Sequence, residues 1–205
     1  MVIALLLLVS IALSGLQPVL ADAGRFLSGS DYAELSAELA SLQHDSATSR
    51  APLTAEQQHR LADLEALKRQ IARSDDRAQL SNRSTHNLGL FARFKKDPAD
   101  QPPSFSVLAP GHSSDDDFDL VALLIPAGVS LRWPEGGEAV ASSSGPRVVR
   151  VLEGQQLEVS DPAAPLTYQL SQPPFQLLSR WDPQPVLPDM SQAALDLEPE
   201  TAPVD

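Results

Sequence analysis

The stretch Val151-Leu152-Glu153-Gly154-Gln155-Gln156-Leu157-Glu158-Val159 decides how the second half of this chain is read. Apolar residues at 151, 157 and 159 alternate with polar ones on either side of Gly154, the signature of half-buried strands. Gly154 supplies the backbone freedom that a tight turn needs. The expectation is therefore a β-hairpin within an antiparallel sheet.

Working outward, similar short apolar runs occupy residues 105–109, 118–125, 129–133, 148–152, 157–160, 166–170 and 175–181. Pro-Gly, Pro-Ala-Gly, Glu-Gly-Gly and Pro-Pro turns separate them. Closely spaced short strands predict a small antiparallel β-sandwich or barrel-like domain. Run 118–125 is apolar on both faces at its end, as a central strand requires. Residues 88–95 alternate as well, and although Leu90 and Phe94 also sit one helical turn apart, Gly89 and the two phenylalanines favour strand. From Pro126-Ala127-Gly128 to Gly154 the strand–turn rhythm resembles that of cupin-like jelly rolls, without their metal-binding histidines. The resemblance implies sheet architecture only.

Upstream the period changes. Tyr32, Leu35, Leu39 and Leu42 step by helical intervals, with Asp31 as an expected cap and Glu34 as its capping-box partner. A second helix opens at Thr54, paired with Gln57, and carries Leu61, Leu64, Leu67 and Ile71 on one stripe. Together they predict an N-terminal helical hairpin. Its stripes need a further partner: the β region, a second copy in coiled-coil fashion, or another protein.

Composition marks the boundaries. Of 18 prolines, 16 lie at or after Pro98. Residues 22–97 hold 11 basic and 11 acidic side chains, whereas 98–205 hold 4 and 16, which accounts for the whole net charge of −12. The reading is α+β: a hairpin region at 22–97 with a basic end, a proline-rich β domain at 98–181, and a disordered acidic tail at 182–205. Within that tail, residues 190–197 could form a short helix capped by Asp189, with Met190, Ala194 and Leu197 on one face.

Residues 1–21 carry no charged side chain, and an apolar core leads to Val19-Leu20-Ala21. This is the pattern of a secretory signal peptide cut after Ala21, or after Ala23, with an uncleaved anchor as the alternative. Export to the periplasm or the extracellular space is expected. The absence of cysteine excludes disulfides, thiolate–metal sites and a thiol nucleophile.

The common catalytic patterns fail one by one. His44, His59, His86 and His112 are too far apart in sequence for a zinc helix or finger. No Gly-x-Ser-x-Gly elbow exists, and none of Lys68, Lys95 or Lys96 follows a serine at three positions. Gly136-Gly137 lies between Glu135 and Glu138, which repel phosphate. Asp115, Asp117 and Asp119 match the start of a calcium loop, but Leu120 and Pro126 stand where glycine and glutamate are needed. Asn82-Arg83-Ser84 is a glycosylation sequon only in a glycosylating pathway. Trp133 and Trp181, with Tyr168 near the latter, would stack on sugars if exposed and anchor a core if buried.

No catalytic, metal or cofactor residue is thus assigned, and no cofactor is expected. The function expected is a non-enzymatic interaction or scaffold protein of the cell envelope. A carbohydrate-binding β domain is the alternative, and a hydrolase built from distant carboxylates the third reading. The expected partner is a protein, or a second copy meeting the hairpin. Nucleic acid is not expected, although nine basic residues lie between Arg60 and Lys96. Membrane contact is expected only if the N-terminal segment stays attached or that basic stretch meets anionic lipid.

Overall fold

The computed structural model describes residues 26–49, 52–74, 77–94, 101–115, 117–134, 144–161, 166–179 and 187–204. The expected signal segment with its expected cleavage sites, Lys95, Lys96, Gly136-Gly137 and Trp181 lie outside them.

Helix α1 (Ser30–Thr48) and helix α2 (Ala55–Ile71) form where the apolar stripes require them. At α2 the expected box is present: the Gln57 amide donates to Thr54 Oγ1 at 3.2 Å, and the Thr54 amide donates to Gln57 Oε1 at 2.9 Å. At α1 it is not. The N-cap is Gly29, without a side-chain bond, because Asp31 and Glu34 are turned towards an arginine of the β region. Leu35, Leu39, Leu64, Leu67 and Ile71 close over Phe26, Leu152 and Phe175 in one buried cluster. At these positions the stripes are covered by the same chain, including two residues of the β region.

Nine strands follow among the described residues: β1 (Gln79–Arg83), β2 (Leu88–Phe94), β3 (Ser104–Leu108), β4 (Phe118–Ile125), β5 (Ser130–Arg132), β6 (Arg147–Arg150), β7 (Gln156–Ser160), β8 (Thr167–Leu170) and β9 (Gln176–Leu178). They form a four-stranded sheet, β1-β7-β8-β5, and a five-stranded sheet, β3-β2-β4-β6-β9. The α+β class holds, and the pair of sheets is sandwich-like. Among the described residues no closed barrel forms, because the two sheets share no strand. Nor is the pairing wholly antiparallel, since β1–β7 and β5–β8 run parallel. Leu90, Leu120, Leu123 and Val149 of the larger sheet meet Leu80, Leu157, Val159 and Leu170 of the smaller in the main core.

The stretch around Gly154 is not a hairpin. Strand β6 pairs with β4 and β9, whereas β7 pairs with β1 and β8. Between them the chain turns a corner from one sheet to the other, with the Gln155 amide donating to the Leu152 carbonyl at 2.9 Å. Alternation specifies a buried face but not which sheet buries it, so both topologies fit the same letters. Gly154 has φ +82°, and a Cβ there would lie 3.3 Å from Phe26 and 3.4 Å from Ile71. The helix pair thus packs directly on this corner.

Strand β1, Gln-Leu-Ser-Asn-Arg, carries no apolar alternation and does not read as a strand; β1 and β2 also place the strand region upstream of the Pro98 boundary. Its buried polar residue is satisfied: Asn82 Nδ2 donates to the carbonyls of His86 (2.9 Å) and Leu108 (3.1 Å). A glycan on this nitrogen would break both bonds, so the sequon is closed in the folded chain.

The segment 187–204 differs most from the solvated tail expected of it. It runs as a strap over the sheets. Leu187 and Met190 cover apolar residues of the larger sheet, and Ser191, not Asp189, caps helix α3 (Gln192–Leu195). Gln192 and Leu195 are buried, while Leu197, expected on the apolar face, is 87% exposed. Asp196 meets His86 Nδ1 at 2.8 Å, and Glu200 meets His112 Nδ1 at 2.7 Å. At the end, Thr201 and Ala202 bond the free edge of β3 at Val107, and Val204 bridges Ser114. Acidic composition suggests self-repulsion, but the donors that hold these carboxylates lie 88 and 110 residues earlier in the chain.

Candidate functional site

The outer face of the larger sheet has two halves. Phe91, Ala122, Leu124 and Val148 form an apolar half beneath Leu187 and Met190. The other half presents Arg93, Asp119, Val121, Arg150, Gln176 and Leu178. The first turn of α1, with Ser30 and Asp31, and Glu153 from the corner close over this polar half. The cavity between them measures about 540 Å³, within the ordinary range for small-molecule sites.

Arg150 fixes the cavity's shape. Its Nη2 donates to Asp31 Oδ1 at 2.6 Å, and its Nη1 donates to Glu34 Oε2 at 2.8 Å and Gln176 Oε1 at 3.3 Å. Burial disfavours its charge, but hydrogen bonds and charge from Glu34 and Asp31 outweigh this, so its pKa is raised. The guanidinium lies 5.3 Å from the centre of the buried Phe175 ring, and Arg60 lies 5.5 Å from it. Arg60 also bonds Glu38 at 2.8 Å and the carbonyls of Pro174 and Phe175. This joint orients α1 over the sheet.

The other lining charges have different commitments. Asp119 pairs with Arg77 at 3.7 Å and sits opposite Arg93 in the β2–β4 register. The Glu153 amide donates to Asp31 Oδ2 at 3.2 Å, so its backbone is held against α1. Arg93 is the exception: its Nε is buried and has no hydrogen-bond partner among the described residues. A buried donor left unpaired is costly.

Of the residues singled out in the sequence as chemical candidates, only Asp119 reaches this cavity. Asp115 and Asp117 form a local turn, with the Asp117 amide donating to Asp115 Oδ1 at 2.6 Å. Among the described residues no cluster of three potential metal ligands occurs. His44 and His59 are exposed on the helices. Trp133 packs, partly buried, against the sandwich core. The buried Tyr168 hydroxyl donates to Gln192 Oε1, and burial pushes its pKa upward. Arg93, Arg150 and Glu153 escape sequence reading because a charged residue on the outer face of an alternating strand looks like any solvated position. Asp31 is visible in the sequence, but as a helix cap.

Comparison with family models, curated proteins and solved structures gives no match for this chain. No helix among the described residues is long and apolar enough to cross a membrane.

Proposed function

We propose that this chain is an exported, non-enzymatic binding protein of the cell envelope, and that its binding site is the cavity between α1 and the larger sheet. The observation that supports it is the construction of that cavity. Strands β2, β4 and β6 present Arg93, Asp119 and Arg150, and the Arg60–Phe175–Arg150 joint holds α1 in place above them. Sites carried on packed elements keep their geometry better than sites on loops. A carbohydrate site at Trp133 receives no such support, since that ring packs, partly buried, against the core.

The test uses the mature chain and a panel of polar metabolites read by thermal shift and native mass spectrometry. One ligand class is expected to raise Tm, and Val121→Trp, which fills the cavity from its partly buried wall, is expected to abolish the shift. A panel without any stabilising compound, or binding indifferent to the tryptophan, would remove this reading. Mass spectrometry of the exported form is expected to show an amino terminus at Asp22 or Gly24; an intact Met1 would support the anchor instead.

One observation favours a second reading, a hydrolase: Asp31, Asp119 and Glu153 line the same cavity. Asp31 is held by Arg150 and Asp119 by Arg77. Glu153 lines the cavity from the corner between the sheets and is one carboxylate to test. Glycoside turnover abolished by Glu153→Gln would support this reading; absence of turnover would end it.

A further inference from the structure

We propose that Met190 is an oxidation site, and that its thioether is a redox-sensitive fastening for the leading end of the strap at 187–204. The inference stands apart from the binding reading above and needs no ligand.

The sequence makes the site single. The chain has no cysteine and two methionines, Met1 and Met190, so Met190 holds the one sulfur atom among the described residues. Its side chain is partly buried and packs, with Leu187, against Phe91, Ala122, Leu124 and Val148 of the larger sheet. The exposed part admits a small oxidant. The packed part makes the product matter, because every other side chain in this cluster is hydrocarbon and offers no donor to a sulfoxide oxygen.

The strap's polar fastenings lie further on. They begin at Ser191, which bridges Ala127, and continue through Gln192, Asp196, Glu200 and Thr201. Among the described residues, 187–190 make no hydrogen bond, so apolar contact by Leu187 and Met190 holds this leading part. Val121 and Leu178 belong both to the cluster beneath it and to the lining of the cavity. Loss of the Met190 cover therefore bares the apolar half of the outer face up to the margin of the candidate site.

A peroxide supplies the chemistry. The sulfur lone pair attacks one peroxide oxygen, the O–O bond breaks and an S–O bond forms. The second oxygen leaves as hydroxide and takes up the remaining proton to become water. Sulfur gives up two electrons and the peroxide accepts them. The product is a polar, chiral sulfoxide, which methionine sulfoxide reductases return to the thioether.

The experiment treats the purified chain with hydrogen peroxide and locates the added oxygen by peptide mass spectrometry. Apolar exposure is followed with anilinonaphthalene sulfonate and by thermal unfolding. Oxygen is expected on Met190, with a rise in dye fluorescence and a Tm lower by about 2–8 °C. Met190→Leu keeps an apolar cover of similar volume and is expected to bind little dye before or after peroxide. Met190→Gln, polar at all times, is expected to show the raised fluorescence without oxidant. Reductases of the two stereospecificities are expected to restore the starting signal. Sulfoxide at Met190 with dye binding and Tm unchanged would overturn the fastening. An equal response in Met190→Leu would assign the effect to another residue, and a signal that outlasts reduction of the sulfur would mean damage in place of a switch. A Met190 that peroxide modifies only after unfolding would remove the site itself.

Discussion

Two segments are fastened to the same pair of sheets by different chemistry. The helix pair is held by a buried aromatic ring between two arginines, each with its own carboxylate, over a cluster of leucines. The strap at 187–204 is held by backbone bonds, one buried glutamine and two histidine–carboxylate pairs whose side chains are between 27% and 47% exposed. The first attachment is an apolar core with charges at its margin. The second buries fewer large apolar groups, Leu187 and Leu195 among them, and adds more polar contacts. Most of the free energy of the first comes from area removed from water, and that of the second from many small, separable contacts.

The largest test of this contrast is Phe175→Ala. Loss of the buried ring is expected to cost about 3–5 kcal/mol and to loosen α1 and α2 before the sheets, as read by urea unfolding and by hydrogen exchange of the helices. A loss below about 1 kcal/mol would mean that the arginines hold the helices without it. Gln192→Ala is expected to cost less, about 1–3 kcal/mol, because it leaves the buried Tyr168 hydroxyl without its acceptor. Adding Tyr168→Phe should recover part of that loss; no recovery would show that Gln192 acts through its other bonds.

The smallest effect concerns acid. Asp196 and Glu200 have pKa values lowered, burial opposing the shift but hydrogen bonds and the charges of His86 and His112 prevailing. A folded-state value below the unfolded one contributes stability that is present above the ordinary carboxylate pKa and lost as pH falls through the folded value. The strap is therefore expected to lose exchange protection at a higher pH than the helix pair. Each pair should show a coupling of about 0.2–1 kcal/mol in a double-mutant cycle at neutral pH. Simultaneous release of both segments would erase the distinction between the two attachments.

Much of the fold was legible where the signal is local. The Thr54–Gln57 box, the leucine stripes and the doubly apolar β4 each read correctly because a few adjacent residues determine them. Three features needed partners far away in sequence. Asp31 has the identity of a helix cap and becomes instead a receptor for Arg150, 119 residues on. Asn82 makes β1 look like a loop until Leu108 and His86 accept its amide. The acidic strap reads as solvated until its histidines are in place. The candidate site was almost illegible, since only its Asp119 belonged to any chemical motif considered. Its determining property, an arginine nitrogen buried without a partner among the described residues, exists only in three dimensions.

The bonds from Thr201 and Ala202 to Val107 carry a consequence for how the chain is made. Strand β3 is the last strand on its side of the larger sheet, and the residue that accepts and donates at its outer edge, Val107, waits for a threonine 94 positions further on. A polypeptide emerging amino end first completes that sheet while the edge is still bare. Bare edges recruit strands from other chains. Trimming the strap from Thr201 onward would therefore shorten the protein very little while exposing a template for aggregation.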